Sequence, residues 1–258
     1  MASPTTSEME MTDNSTFADS RRNAPVQLSV IISTLSRLET ARLLADRIRV
    51  VLSTLELEII VVFPGAGEPT SSEGVVRYVA DAGRGVYAAY NAGLRSCSGE
   101  YVWFIGDDDY PLDAAADICD ILREDAVDLL VAPVLFSTGR VYRPSRTLLL
   151  LHFLNWCQQG VIYRRRKLLR HRFFRRLPVQ ADQYVNILLR ADASVTKKFL
   201  DRPICVFGAD GLSGRARDSG YRSLRLALAH RTLSGSMFLV FRALVLFEPL
   251  IKRLVKIR

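Results

Sequence analysis

The sequence is poor in cysteine, and its few cysteines are scattered. No two of the four have the C-x-x-C spacing that is typical of zinc sites. The sequence therefore predicts neither a zinc site nor a disulfide framework. Isolated cysteines of this kind are typical of buried thiols in a reducing compartment. The four are Cys97, Cys119, Cys157 and Cys205.

The first 24 residues lack the continuous apolar segment of a secretory signal. They are polar and contain few aliphatic side chains, so they cannot bury enough apolar surface to fold. We expect residues 1–24 to form a disordered tail, and we expect the protein to be cytoplasmic.

Motifs of nucleic-acid recognition are absent, although half of the chain is strongly basic. The sequence has no helix-turn-helix signature, no zinc-finger spacing and no aromatic RNA-binding motif. Residues 1–138 contain 10 Lys and Arg against 21 Asp and Glu, a net charge of −11, whereas residues 139–258 contain 25 against 6, a net charge of +19. Such a basic surface suits anionic headgroups or phosphorylated substrates, and we expect no nucleic-acid partner.

The sequence does contain an alternation of short buried strands and amphipathic helices. The predicted strands cover residues 26–34, 57–67, 75–81, 100–109 and 128–138, and the predicted helices cover residues 37–55, 84–99 and 111–124. This order predicts an α/β fold with a mostly parallel sheet flanked by helices. In such sheets, ligands bind outside the carboxyl ends of the strands.

Three adjacent aspartates, Asp107, Asp108 and Asp109, follow the fourth predicted strand in the stretch FIGDDDYPL. Each carboxylate raises the cost of ionising its neighbours. One explanation is a solvated turn that caps the helix beginning near Pro111. The other is a site for a divalent cation that cancels the repulsion. Capping would occupy one carboxylate and leave the other two unexplained.

Several motifs, taken in order, resemble a known family. The runs LSVIIST, EIIVV and GRGVYAAYNAGLRSCSGEYVWFIGDDD are similar to the amino-terminal half of family 2 glycosyltransferases, the inverting nucleotide-sugar enzymes of the GT-A fold. The third run also resembles bacterial exopolysaccharide and lipopolysaccharide glycosyltransferases of the colanic-acid or amylovoran type. With CQQGVIYRRRKL, VQADQYVNILLR and RPICVFGADGLSG, the resemblance spans residues 27–214.

The resemblance implies a Rossmann-like GT-A fold with a metal site at the triplet. In the family, the matching strand end contacts the metal, the diphosphate and the ribose. The resemblance therefore implies that Asp107 and Asp109 bind Mn²⁺ or Mg²⁺, and that Asp107 and Asp108 contact the donor. A hard cation held by carboxylates would stabilise the charge of the leaving diphosphate.

Further donor contacts are implied in the same way. Ser33 and Thr34 follow the first strand, Asp81 and Arg84 follow the third, and Asn91 lies in the next helix. Each position also has an ordinary structural explanation. The hydroxyls suit a helix cap, the acid and the arginine suit a surface ion pair, and the asparagine suits a helix end.

The resemblance implies that Asp182 is the catalytic base, because it stands near the start of a helix, where the family places an acid. An inverting transfer needs such a base to take the proton of the acceptor hydroxyl. Gln159 is implied to line the acceptor side of the site. The alternative is that Asp182 has only a structural role, as an acid whose charge interacts favourably with the helix dipole or as an ion-pair partner of Arg175 or Arg176.

The chain departs from the family pattern at three positions. Phe63 stands where relatives have an aspartate that recognises the base or ribose, Ala88 where they often have an acid, and Gln158 where they have a histidine. A catalytically degenerate scaffold therefore stays open as an alternative. A sugar-phosphate nucleotidyltransferase is another alternative, although the stretch STLSRLET lacks the glycine-rich loop that such enzymes carry.

The C-terminal residues 237–258 are apolar with a basic end, and charges interrupt them too often for a clean membrane span. They suit an amphipathic helix in the interface of an anionic membrane, or a helix that covers the core or a dimer interface. We expect a GT-A domain at residues 25–215 and a basic amphipathic helical segment at residues 216–258.

These features predict a metal-dependent, inverting glycosyltransferase. It would move a sugar from a nucleotide-diphosphate-sugar to a surface polysaccharide or to an oligosaccharide on a polyprenyl diphosphate, as the resemblance implies. We expect a peripheral protein on the inner face of the cytoplasmic membrane.

Overall fold

The computed structural model describes residues 25–65, 72–83, 85–124, 127–173, 176–208, 218 and 221–248. The predicted tail at residues 1–24 lies outside the described residues, as do Arg84 and the last ten residues of the predicted C-terminal segment.

Strands and helices alternate over most of the described chain. The strands are β1 (Leu28–Ser33), β2 (Leu57–Pro64), β3 (Ser72–Glu73), β4 (Val76–Asp81), β5 (Tyr101–Gly106), β6 (Tyr110–Pro111), β7 (Leu129–Val131), β8 (Val134–Phe136), β9 (Val141–Tyr142), β10 (Val161–Arg164), β11 (Lys197–Phe199) and β12 (Cys205–Phe207). The helices are α1 (Leu38–Val51), α2 (Val86–Ser96), α3 (Asp117–Glu124), α4 (Leu148–Leu151), α5 (Arg165–Leu168), α6 (Ala181–Ala191), α7 (Tyr221–Thr232) and α8 (Gly235–Leu246). Two 3₁₀ turns cover Asp113–Ala116 and Gln158–Gly160.

The main sheet has eight strands in the order β11, β7, β10, β5, β1, β2, β4, β3. Neighbouring strands are parallel except where β10 pairs with β5 and β7 and where β3 pairs with β4. A smaller sheet has the order β6, β12, β8, β9. This is a mixed α/β, Rossmann-like GT-A fold, so the predicted fold class is confirmed.

Helices cover both faces of the main sheet because its central strands are apolar on both sides. In β1, Val30 and Ile32 face a core shared with α1 and α3. Ile31 faces the opposite core, which is shared with α2, α6 and α7. Successive side chains of a strand point to opposite faces, so an unbroken apolar run belongs in a strand buried between two helical layers.

The parallel register places the ends of the central strands at one edge of the sheet. Ser33 at the end of β1 is level with Gly106 at the end of β5. Pro64 at the end of β2 is level with Asp81 at the end of β4. The loops that carry the predicted donor residues therefore start next to each other.

The strand predicted at residues 128–138 is not one strand. It divides at Ala132 and Pro133 into β7, which joins the main sheet, and β8, which joins the smaller sheet. Proline has no N–H for a sheet, and the Ala132 N–H donates to the Gly160 carbonyl (2.7 Å). The prediction missed this break and the whole smaller sheet.

Helices α7 and α8 pack on the domain in different ways. Tyr221 and Leu228 of α7 join the same core as the main sheet. Phe241 of α8 is buried against Phe153 and Ala229, while much of the remaining surface of α8 is exposed. Across the described ranges, no helix combines the length and the apolar character needed to cross a membrane. The division at residues 215 and 216 stays a prediction.

Candidate active site

A cavity of about 840 Å³ opens at the carboxyl ends of β1, β2, β4 and β5. Its position matches the general rule for α/β sheets, and its size suits a small-molecule ligand. Residues predicted from the sequence that line it are Ser33, Thr34, Asp81, Asp107, Asp108, Gln159 and Asp182. Seven positions spread over 150 residues of sequence thus meet at one cavity.

Asp107 is buried, and both of its carboxylate oxygens accept hydrogen bonds from neighbouring side chains. Its Oδ2 accepts hydrogen bonds from Thr34 Oγ1 (2.5 Å) and Arg37 Nε (3.1 Å), and its Oδ1 accepts one from Arg37 Nη2. The guanidinium and the carboxylate therefore form a bidentate ion pair. The Arg37 side chain remains 54% exposed and lines the cavity.

The Thr34 hydroxyl links Asp107 to the start of α1, and its contact with the donor stays a prediction. It donates to Asp107 and accepts the backbone N–H of Arg37 (3.0 Å), the residue that precedes α1. It thereby fixes the loop that carries Arg37. Ser33, one residue earlier, lines the cavity, as does Tyr90.

Asp109 lies behind the cavity and closes the turn after β5. Its Oδ2 accepts the N–H of Gly106 (2.6 Å), and its Oδ1 accepts the N–H of Gly208 (3.2 Å). Burial raises the pKa of Asp109 to about 7; the charge of Asp108 adds to that rise, and the hydrogen bonds oppose it. The carboxylate thus holds β5 against the chain after β12, and does not cap the following helix.

Asp108 also lines the cavity. Asp107 is paired with Arg37, whereas the Asp108 carboxylate is not part of that pair. Its carboxylate sits between two glycines. A Cβ at Gly106 would lie 2.7 Å from Asp108 Oδ1, and a Cβ at Gly208 would lie 2.5 Å from Asp108 Oδ2. Any larger residue at these two positions would force the carboxylate to move.

The triplet provides a partial set of ligands for a divalent cation. Within the described ranges, no group of three or more His, Cys, Asp or Glu could hold a metal ion. Asp108 and Asp109 still form a pair of adjacent carboxylates, and Mg²⁺ is commonly bound by one or two carboxylates together with substrate phosphates. The residues present fit a cation that takes its remaining ligands from a bound diphosphate.

Asp182 also lines the cavity, from the first turn of α6, and is buried. Its Oδ1 accepts the Tyr87 hydroxyl (2.8 Å) and the Gln183 N–H (2.7 Å), and its Oδ2 accepts Asn155 Nδ2 (2.7 Å). Burial raises the pKa of Asp182 to about 6, and these three hydrogen bonds oppose part of the rise. Of its two predicted alternative partners, Arg175 lies outside the described residues, and Arg176 is not among the hydrogen-bond partners of Asp182.

A buried polar chain holds Asn155 in place. Asn155 Oδ1 accepts Asn186 Nδ2 (3.1 Å), and Asn186 Oδ1 accepts the Tyr163 hydroxyl (2.7 Å). The same hydroxyl lies 3.1 Å from Gln158 Oε1. Because each amide is bonded at both ends, the orientation of Asn155 towards Asp182 is fixed.

The two glutamines in the 3₁₀ turn before β10 differ in their contacts. The Gln159 carbonyl accepts Trp103 Nε1 (2.8 Å), and the Gln159 side chain is among the groups that lower the pKa of Asp109. Gln158 lines the cavity, and its Nε2 is buried with no hydrogen-bond partner in the part of the chain that the structure describes. A buried donor without a partner is costly in a protein, so this amide fits an oxygen of a bound substrate.

Two predicted donor residues have local roles in the structure. Asn91 does not line the cavity; its Nδ2 donates to the Phe173 carbonyl (2.8 Å), and its Oδ1 accepts the Phe173 N–H (3.1 Å). Asp81 does line the cavity, and its Oδ1 accepts the N–H of Gly83. Phe63, the departure from the family pattern, lines the cavity near Asp81.

Aromatic side chains from the smaller sheet and from the segment before β10 also line the cavity, and the sequence analysis did not assign them to the site. Only Phe207 among them lies in a motif quoted above, RPICVFGADGLSG. Phe136 lies 5.8 Å from Tyr142 and 5.6 Å from Phe207 between ring centroids. The residues of this aromatic wall are Phe136, Tyr142, Phe153, Trp156 and Phe207.

Comparison with known proteins places this geometry in context. Residues 29–171 match the family described as Glycosyl transferase family 2. No protein among the curated sequences compared matches the chain.

Solved structures with the same fold include two glycosyltransferases. S. aureus TarS 1–349 in complex with UDP-GlcNAc is 18% identical, with a TM-score of 0.60, over 83% of this chain and 69% of that chain. The mannosyltransferase PcManGT from Pyrobaculum calidifontis, in complex with GDP-Man and Mn²⁺, is 17% identical, with a TM-score of 0.52, over 83% of this chain and 66% of that chain.

Proposed function

This chain belongs to glycosyl transferase family 2, and we propose that it is an inverting, metal-dependent enzyme that adds one sugar to a surface polysaccharide or a lipid-linked oligosaccharide. The observation that carries the proposal is that carboxylates from two distant parts of the chain line one cavity. Asp107 and Asp108 follow β5, Asp182 stands in the first turn of α6, and all three line it. A donor diphosphate held near Asp107 and Asp108 would present its sugar to an acceptor held near Asp182.

Asp182 is the general base. Its raised pKa of about 6 leaves it mostly ionised at neutral pH and still basic enough to take a proton. It takes the proton of the acceptor hydroxyl while the acceptor oxygen bonds the anomeric carbon and the sugar–phosphate bond breaks. The free amide of Gln158, on the same side of the cavity, binds an acceptor oxygen.

Positive charge for the diphosphate comes from two sources. Asp108 and Asp109 would hold Mn²⁺ or Mg²⁺, which supplies Lewis-acid stabilisation of the leaving phosphate. Arg37 adds a guanidinium whose planar fork suits phosphate oxygens. Because Asp107 is already paired with Arg37, we propose that Asp107 positions this arginine, and that Asp108 replaces it in the predicted metal-binding pair.

The donor and acceptor classes are proposed from the linings of the two sides. Phe63 offers an apolar ring, where relatives have a carboxylate, for packing against the nucleobase. The aromatic wall offers ring faces for the apolar faces of sugars. With the resemblance to exopolysaccharide enzymes, this wall supports a saccharide acceptor.

The outer surface of α8 is proposed as the membrane-binding surface. It exposes apolar side chains, and its buried Phe241 packs on Phe153, which lines the cavity (5.2 Å between ring centroids). A bilayer against α8 would thus bring a lipid-linked acceptor close to the aromatic wall. The exposed apolar residues here are Met237, Leu239, Val240, Leu246 and Phe247.

Donor binding tests the proposal. Thermal-shift screening with uridine and guanosine diphosphate sugars, in Mn²⁺, Mg²⁺ or chelator, should find one sugar that stabilises the protein only when a cation is present. Asp108→Asn should lose this effect. Asp120→Asn, on the exposed side of α3, is the matched control and should retain it. Equal stabilisation in chelator would contradict the metal dependence, and no stabilisation by any sugar would contradict the function.

A further inference from the structure

The hydroxyl of Tyr87 has one proton and two acceptors. Its oxygen lies 2.8 Å from Asp182 Oδ1 and 2.9 Å from the Val179 carbonyl oxygen. The ring cannot move easily, because it stacks on Phe173 (5.4 Å between centroids) and meets Tyr90 edge to face (6.1 Å). The phenol oxygen is therefore fixed, and only its proton can turn.

The second acceptor is fixed as well. Asp218 accepts the N–H of Val179 (3.1 Å) and the N–H of Gln180 (2.8 Å), and so holds the chain that leads into α6. The Val179 carbonyl and the Asp182 carboxylate are consequently both held within hydrogen-bond distance of the Tyr87 hydroxyl.

We propose that Tyr87 is a positioning residue for Asp182, and that its hydroxyl proton turns from the Asp182 carboxylate to the Val179 carbonyl when Asp182 becomes protonated. The inference rests on the proposed role of Asp182 as the base. It concerns a residue that neither the sequence motifs nor the comparisons single out.

The protons and bonds balance as follows. The acceptor O–H bond breaks, its proton goes to Asp182 Oδ2, and its oxygen bonds the anomeric carbon. The sugar–phosphate bond breaks, and its electron pair leaves with the diphosphate. Tyr87 keeps its own proton throughout.

Two acceptors are useful because the strength of one of them changes during the reaction. While Asp182 is ionised, the hydroxyl donates a charge-assisted hydrogen bond to it, which is stronger than one to a neutral carbonyl. Once Asp182 is neutral, Val179 offers an equivalent acceptor. The buried hydroxyl therefore has a partner in both states, and the change of state leaves no donor unsatisfied.

Tyr87 itself does not act as an acid. Burial and the charge of Asp182 raise the pKa of its phenol well above the ordinary value. Burial also raises the pKa of each titratable neighbour of Asp182, so all of them are neutral near pH 6: Tyr90, Cys157, Tyr163 and Tyr221. Within the described residues, the ionisable groups that act on these neighbours from further away include Asp108, Asp109, Asp218, Arg225 and Glu248.

Enzyme kinetics give the first test. The pH profile of kcat/KM is measured for sugar transfer to water, as release of UDP or GDP from the donor that the screen identifies. Tyr87→Phe should move the apparent pKa of the base upward by about one to two pH units, because the ionised form loses a hydrogen bond. Donor affinity should stay within about twofold of wild type.

Tyr101→Phe is the matched control. Its hydroxyl donates to the Val127 carbonyl at 2.9 Å, at the far end of β5, and the profile of this variant should equal that of wild type. A Tyr87→Phe profile that also equals wild type would overturn the proposal. If Asp182→Asn remains active, the base assignment fails, and the inference fails with it.

A second test needs no activity. In protein labelled with ¹³C at tyrosine Cζ, the Tyr87 resonance, assigned by its loss in Tyr87→Phe, should shift with an inflection near pH 6. The inflection should vanish in Asp182→Asn. A wild-type resonance that stays flat from pH 5 to 8 would overturn the proposal, even if Asp182 proves to be the base.

Discussion

At the scale of single residues, the aspartate triplet gives three identical side chains three different environments. Asp107 pairs with Arg37, Asp108 faces the cavity, and Asp109 binds two backbone amides. This separation reduces the repulsion that three adjacent carboxylates would otherwise have. It also leaves the Asp108 carboxylate facing the cavity.

Arg37 gives the first prediction at this scale. Arg37→Lys keeps the charge and loses the two-pronged grip on Asp107, so the affinity for the donor should fall about tenfold. Arg49→Lys, which changes an exposed pair with Asp46 on α1, should leave the affinity unchanged. Calorimetry with the donor measures both variants. Equal affinities would mean that Arg37 does not contact the diphosphate.

Asp182 gives a prediction about stability. Its folded-state pKa of about 6 lies above the ordinary value of an aspartate, so the folded state binds this proton more tightly than the unfolded state does. The resulting stability is greatest at low pH and is lost as the pH rises through about 6. The difference in unfolding free energy between wild type and Asp182→Asn should therefore fall by about 2 kcal/mol from pH 4.5 to 7.5.

Urea unfolding of both proteins across this range measures that difference. If the asparagine also costs free energy through steric clashes or lost hydrogen bonds, that cost is the same at every pH. It shifts the difference in unfolding free energy by a constant and does not change its dependence on pH. A difference that is independent of pH would show that Asp182 titrates alike in both states.

Sequence reasoning identified part of the cavity lining and missed part of it for a physical reason. Asp108 follows a strand, and Asp182 lies in a recognisable motif, so both could be predicted. Arg37 and Tyr87 read as ordinary residues near helix starts. Their partners stand 70 and 95 positions away in sequence, and only the folded chain brings such partners together.

At the scale of elements, helix α2 approaches strand β1 closely because it contains a glycine. A Cβ at Gly93 would lie 2.5 Å from Cγ2 of Ile31, a fully buried side chain. This close approach explains a glycine in the middle of a helix, where it otherwise lowers stability.

Substitution of this glycine tests the close packing. Gly93→Ala should lower the free energy of unfolding by about 1–3 kcal/mol, as overpacking does. Gly235→Ala, at the first residue of α8 with no atom within 4 Å of the added Cβ, should leave stability unchanged or raise it by about 0.5 kcal/mol. Chemical denaturation measures both. A Gly93→Ala protein as stable as wild type would contradict the close contact.

The predicted strands are present in the structure where a local apolar pattern is enough to determine the strand. The apolar runs around residues 28–33, 57–64 and 101–106 became strands because helices cover both of their faces. The prediction of one strand at residues 128–138 was wrong because Pro133 and the contact with Gly160 divide this segment into two strands. That contact joins distant segments, and no local pattern indicates it.

At the scale of the whole molecule, the exposed apolar face of α8 lies on the basic half of the chain. The proposed membrane surface thus combines apolar area with positive charge, and both favour an anionic bilayer. Burial lowers the pKa of His171, and the charges of Arg170 and Arg231 add to this effect. Arg231 lies near the end of α7, just before α8.

A pair of substitutions tests this surface. Leu239→Glu should reduce co-sedimentation with vesicles of anionic lipid by about tenfold, because it removes apolar contact and adds repulsion. Leu43→Glu, on α1, is the control, since Leu43 is 63% exposed and Leu239 is 65% exposed. It should bind as wild type does. Equal binding by both variants would exclude α8 as the membrane surface.

The central claim is that Asp182 is the base of a sugar transfer whose donor binds elsewhere in the same cavity. The most direct measurement compares release of UDP or GDP and donor affinity in Asp182→Asn and in the surface control Asp120→Asn. We predict that Asp182→Asn binds the donor as wild type does and releases the diphosphate about 100-fold more slowly, while the control is unchanged. Release within about threefold of wild type would contradict the claim.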